Sequence, residues 1–98
     1  MEDKLLKIIN YYGVNNQLRQ FNEECFELIE AIIDYRYVEV YEGSPAEKFH
    51  KEHVAEEIAD VMVMLEQFKL YYDISSEEIT NIFWGKVDRQ LKRIEEEK

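Results

Sequence analysis

The segment from Val54 to Leu70 leaves a helix almost no polar face, yet it carries Glu56, Glu57 and Asp60. At about 100° per residue, Val54, Ile58, Val61, Leu65 and Phe68 form one stripe. Ala55, Ala59, Met62, Val63, Met64 and Leu70 occupy much of what remains. A helix that is apolar nearly all round is buried on most sides. The chain has 98 residues, enough for one domain with one modest core. Four helices of such a chain can hardly cover this one, so an oligomer is expected, most simply a two-fold homodimer, with a homotetramer as the alternative.

Gly and Pro are scarce, which leaves few turns and favours long helices. The chain reads as all-α, a four-helix bundle forming a single domain over residues 1–98. The first helix spans about Glu2 to Tyr12, and Gly13 suits the left-handed residue that ends it. The second begins near Asn15 or Asn16, either of which can cap it, and runs to about Arg36 or beyond. Tyr37-Val38-Glu39-Val40-Tyr41 is β-branched and aromatic, so its state is open. For the third helix, Ser44 is the N-cap, Pro45 the first helical residue and Glu47 the partner in a capping box, with an end near Tyr72. The fourth has Ser75 as cap, Glu78 closing the box and Ile74 stapling to Ile79, and it fades into the charged tail from Arg93 to Lys98.

The formal charge is −10, from 12 basic and 22 acidic residues. That balance repels nucleic-acid backbones and argues against a DNA- or RNA-binding role. Cys25 is the only cysteine, so neither a disulfide framework nor a thiolate zinc site can form within one chain. The opening Met-Glu-Asp-Lys lacks the features of a signal peptide, and no apolar run is long enough for a bilayer. A reducing, cytoplasmic setting without membrane attachment is the expectation.

Carboxylates are costly to bury unless something positive meets them. Glu24 and Glu27 lie one turn apart on the second helix, and Glu57 and Asp60 one turn apart on the third. Each pair projects in nearly one direction, so antiparallel packing of the two helices brings both pairs to one level. Four converging carboxylates call for a counterion. Hard oxygen ligands without a thiolate select Mg²⁺, with Mn²⁺ as a substitute, and magnesium accepts substrate phosphates as further ligands. Asp60 also stands where helix propensity disfavours Asp. Glu23, Glu30, Asp34 and Glu56, taken singly, read as solvated surface.

Glu23-Glu24-Cys25-Phe26-Glu27 followed by Glu57-Ile58-Ala59-Asp60, on successive helices of a small acidic chain, resembles the MazG-like nucleotide pyrophosphatases. The resemblance covers about Tyr12 to Ile94. It implies that Glu24, Glu27, Glu57 and Asp60 are metal ligands, with Glu23 an accessory catalytic residue. It implies hydrolysis of a nucleoside triphosphate between the α and β phosphates, giving a monophosphate and pyrophosphate, on non-standard or deoxyribonucleotide substrates in pool housecleaning. Lys86 and Arg89, at i, i+3 on the fourth helix, become candidates for phosphate contact. Where many relatives carry an Asn and an Arg around the lysine, this chain has Trp84 and Gln90, leaving Asn81 or Arg89 to substitute.

Asn16, Gln17 and Gln20 are candidates for reading base edges, with Tyr12 or Trp84 for stacking. Each also has an ordinary role, capping for the asparagines and core packing for the aromatics. Glu47-x-x-His50 resembles half of a di-iron motif, but the second half is missing, so His50 and His53 read as exposed histidines. The competing functional class is a non-catalytic helical interaction module whose acidic clusters dock a basic partner.

Overall fold

The computed structural model describes the backbone from Glu2 to Lys98 and the side chains from Lys4 onward. It holds four helices: α1 (Glu2–Tyr12), α2 (Val14–Val38), α3 (Pro45–Tyr71) and α4 (Ser76–Glu97). No strand occurs among the described residues, so the chain is all-α. None of these helices is long and apolar enough to cross a membrane.

One residue separates the first two helices. Gly13 has φ 90°, a conformation that L side chains rarely adopt, although space around it is open. Its N–H closes α1 on the Ile9 carbonyl at 2.8 Å, and its own carbonyl accepts the Gln17 N–H of α2 at 3.0 Å. Because a single left-handed residue both ends one helix and starts the next, α2 has no side-chain cap. The cap expected at Asn15 or Asn16 is therefore displaced. Asn16 instead donates its Nδ2–H to the Tyr12 carbonyl at 2.7 Å and closes the end of α1.

α2 runs through Tyr37 and Val38 before the chain turns at Glu39. At the start of α3, Ser44 Oγ accepts the Glu47 N–H at 3.1 Å and Pro45 fills the first helical position. The reciprocal half of the capping box lands one residue early. Glu47 accepts from the Gly43 N–H at 3.1 Å, since the Ser44 N–H is already bonded to the Tyr41 carbonyl. The buried Glu47 carboxylate also accepts from the Tyr35 hydroxyl at 2.7 Å, tying the end of α2 to the start of α3. These two bonds, Tyr35 first, hold Glu47 below the usual carboxylate range. A depressed carboxyl contributes stability above its unfolded pKa and loses it as pH falls through the folded value. Tyr35→Phe is thus expected to lower the melting temperature by several degrees at pH 7, with the deficit narrowing below about pH 4. Thermal unfolding followed by circular dichroism across pH checks this, and a deficit that ignores pH would contradict it.

α2 and α3 pack antiparallel. Gln17 meets Gln67, Phe21 packs edge-on against Phe68 with ring centroids 5.5 Å apart, and Tyr35 meets Glu47 at the other end. α1 lies against both helices and buries Ile9 completely. The core of one chain is thin. Among the described residues Ile9, Ala31 and Met64 are the buried apolar side chains, outnumbered by buried Gln17, Glu47, Glu57 and Gln67. Ile58, Met62, Val63 and Leu65, expected to be covered, stand well exposed within one chain.

α4 does not join the bundle. Beyond its root against the end of α3 it has no extensive packing with another helix, and it buries no residue. Ser75 caps it by accepting the Glu78 N–H at 3.1 Å, and Lys69 Nζ of α3 reaches Ser76 Oγ at 2.7 Å, so its root is well defined. Ile74 and Ile79, the expected staple pair, line an apolar groove with Met62, Leu65, Phe68 and Tyr72. The radius of gyration is 17.1 Å, against about 13 Å for a compact chain of this length. The molecule measures 43 × 39 × 22 Å. α3 alone is about 40 Å long.

Candidate metal centre

Antiparallel pairing of α2 and α3 sets Glu24 level with Glu57 and Asp60 halfway along the bundle. One carboxylate oxygen from each of the three lies within 4.8 Å of the others. The cluster is graded in depth: Glu57 is buried, Glu24 half-buried and Asp60 exposed. It therefore opens from the helix interface to solvent. Glu27, one turn after Glu24, falls outside this closest set and is exposed. Its charge is still close enough to act on Glu57.

The hydrogen bonding within the cluster is incomplete. Glu24 Oε1 accepts from Gln20 Nε2 at 2.7 Å, while its Oε2 is buried with no partner. Glu57 Oε1 faces His53 Nε2 at 3.8 Å, too far for a hydrogen bond, and its Oε2 is buried with no partner. A buried acceptor left unmet costs about 1–3 kcal/mol, and more when charged. Burial, then the charges of Glu27 and Asp60, push the Glu57 carboxyl above its ordinary value, with His53 opposing them. Two orphaned carboxylate oxygens from different helices, beside a third carboxylate, suit a divalent cation with hard-oxygen preference. The residues thus fit Mg²⁺ or Mn²⁺.

The other sequence-selected residues fall into two places. Tyr12, Asn16, Gln17 and Gln20 line one cleft of about 390 Å³. Gln20 joins that cleft to the carboxylates through its bond to Glu24. Gln17 is mostly buried, and its Nε2 donates to Gln67 Oε1 at 2.8 Å, so much of its amide is committed to the helix interface. Asn81, Trp84, Lys86 and Arg89 all lie on α4, exposed and away from the α2–α3 interface. Trp84 stacks edge-on with its neighbour Phe83. Glu23 is exposed at the rim of α2.

His50 and His53 are half-buried, in contrast to the exposed positions expected of them. His50 Nδ1 is buried without a partner and its ring sits edge-on to Phe49, while His53 faces Glu56 and Glu57. Gln67 escaped the sequence reading. Its signal was a lone amide within the apolar run from Val61 to Leu70. No family model, curated protein or solved structure matches this chain.

Proposed function

We propose that this chain is a Mg²⁺-dependent nucleoside triphosphate pyrophosphohydrolase, working as a homo-oligomer on non-standard or deoxyribonucleotide triphosphates in nucleotide-pool housecleaning. The observation that carries the reading is the pair of orphaned, buried oxygens, Glu24 Oε2 and Glu57 Oε2, beside Asp60. The resemblance of the two acidic motifs to the MazG-like pyrophosphatases supports the choice of reaction.

Glu24, Glu57 and Asp60 are the residues to hold the metal, with Glu27 completing the set. When bound, the metal supplies charge neutralisation on the phosphoryl oxygens. Gln20 fixes the orientation of Glu24 through the 2.7 Å bond, and His53, one turn earlier on α3, faces Glu57 at 3.8 Å. Glu23, exposed and next to Glu24 in sequence, would orient a water and take its proton. That water adds to the triphosphate as the bond between the α and β phosphates breaks, giving nucleoside monophosphate and pyrophosphate. The cleft of Tyr12, Asn16, Gln17 and Gln20 adjoins the carboxylates and offers an aromatic face and amides to the base. Most of the rate enhancement comes from positioning and electrostatics.

A panel of ribo-, deoxyribo- and modified triphosphates, assayed for pyrophosphate with and without Mg²⁺, tests the reading. Release is expected with Mg²⁺ or Mn²⁺ and none after chelation. A folded protein that hydrolyses no triphosphate, and gains no thermal stability from Mg²⁺ with nucleotide, is an acidic interaction module instead.

A further inference from the structure

We infer that a second copy of this chain lays its α4 across α2 and α3 of the first, carrying Lys86 and Arg89 to the first copy's carboxylate site. The placement rests on the surface and shape of the chain. The role of the two cations, holding a triphosphate tail, rests on the hydrolase reading above.

The exposed surface is too large for a finished molecule. The chain presents 8136 Å², whereas a compact monomer of 11.9 kDa exposes about 5,950 Å². The excess, about 2,200 Å², falls at the scale an obligate dimer buries per partner and well above the ~800 Å² of a standard interface. α4 accounts for much of it. Ile79, Phe83, Val87, Leu91 and Ile94 form one stripe along that helix, and none is buried. An amphipathic helix takes most of its stability from packing that face, so a lone α4 is incomplete.

The receiving surface lies on the same chain. Ile58, Met62 and Leu65 run along α3, with Tyr72 just past its end, in an exposed apolar row. The row begins next to Glu57 and ends in the groove that holds Ile79. A helix laid along it passes the carboxylates.

Charge selects the occupant. On α4, Lys86, Arg89 and Arg93 follow at i, i+3 and i+7, forming a basic edge beside the apolar stripe. Among the described residues none of them is in an ion pair. The site they would answer holds Glu24, Glu57, Asp60 and nearby Glu27, and among the described residues these carboxylates have no Lys or Arg ion pair, only His53 facing Glu57. Within one chain α4 stands away from that site, so its own Lys86 does not reach it. A two-fold dimer satisfies both needs at once, because each copy gives a basic, apolar helix and receives one.

Zero-length carbodiimide coupling tests the placement without reference to catalysis. Equal amounts of ¹⁴N- and ¹⁵N-labelled wild-type chain are refolded together, coupled in metal-free buffer and digested for mass spectrometry. Lys86 is expected to link to a carboxylate among Glu24, Glu27, Glu57 and Asp60, with about half of the linked pairs of mixed isotope. Links confined to one isotope, or no such link, overturn the proposal. Complementation tests the role. A chain carrying Asp60→Asn and a chain carrying Lys86→Gln with Arg89→Gln are each expected to be inactive. Refolded together they should recover about a quarter of wild-type turnover, since one of two sites in each mixed dimer is whole. An active wild type with no recovery on mixing overturns delivery by the partner. A wild type that links in trans yet hydrolyses nothing removes the hydrolase reading and upholds the exchange of α4.

Discussion

Glu57→Gln is expected to abolish hydrolysis while raising the melting temperature of the metal-free protein. The two effects have one cause. Glu57 is buried, one of its oxygens has no partner, and Glu24, Glu27 and Asp60 surround it. Without a cation the ionised carboxylate is a burden to the folded state. Glutamine keeps the shape, removes the charge, and offers an amide that can donate to the orphaned Glu24 Oε2. Losing a group that merely orients a metal ligand costs about 10–100-fold, so removing a ligand should cost at least about a hundredfold in turnover. Mg²⁺ at a hundred times its dissociation constant should stabilise wild type by about 2.7 kcal/mol and the variant by far less.

The pH dependence of the same pair of proteins gives a sign that a bland surface role would not. Burial and neighbouring charge raise the Glu57 pKa in the folded state above its unfolded value. The folded protein therefore holds its proton more tightly, and stability falls as pH rises from the unfolded pKa through the folded one. Below about pH 4, where Glu57 is protonated folded and unfolded, wild type and Glu57→Gln should melt together. At pH 7 the metal-free variant should melt higher, and saturating Mg²⁺ should reverse the order. A variant that turns over at the wild-type rate would remove Glu57 from the site.

Much of this was legible in the sequence, and the exceptions have physical causes. The helices followed from scarce Gly and Pro, and from Ser44, Pro45 and Ser75 at the starts of α3 and α4. The meeting of Glu24 with Glu57 and Asp60 followed from i, i+3 spacing once antiparallel pairing was assumed, and the structure has that pairing. The start of α2 was misplaced because Asn15 and Asn16 look like caps. A left-handed Gly13 made a cap unnecessary, and that is a property of backbone geometry. The fate of α4 was hidden for another reason. Its stripe reads the same whether it packs on its own chain or on another, and only the three-dimensional placement shows that it leaves its own bundle. Glu27, equal to Glu24 by spacing, lies farther from the cluster. The closest set takes both members of the α3 pair and only Glu24 of the α2 pair, and helical periodicity does not encode how the two helices cross.

Gln67→Ala should be strongly destabilising. Gln67 is almost wholly buried, 1% exposed, and its Oε1 accepts from Gln17 Nε2 at 2.8 Å. Its Nε2 also lies 3.7 Å from Met64 Sδ. Truncation opens a cavity beside Met64 and strands the buried Gln17 amide. The orphaned donor alone costs about 1–3 kcal/mol. With the cavity added, the loss should reach about 2–4 kcal/mol. For a domain of this size that is a fall of about 10–25 °C in melting temperature, measured at fixed chain concentration so that the proposed assembly does not enter the comparison. The cost arises from an unmatched partner and not from the pair itself. Replacing both Gln17 and Gln67 by leucine should therefore be close to neutral, and the double-mutant cycle should show coupling of about 0.5–3 kcal/mol. Purely additive losses would mean that the two amides are solvated independently. The double leucine variant also separates structure from recognition, since Gln17 lines the cleft beside Gln20. It should keep its fold and its Mg²⁺-dependent stabilisation. If the amide reads a base edge, discrimination among triphosphates should weaken while the carboxylates remain competent.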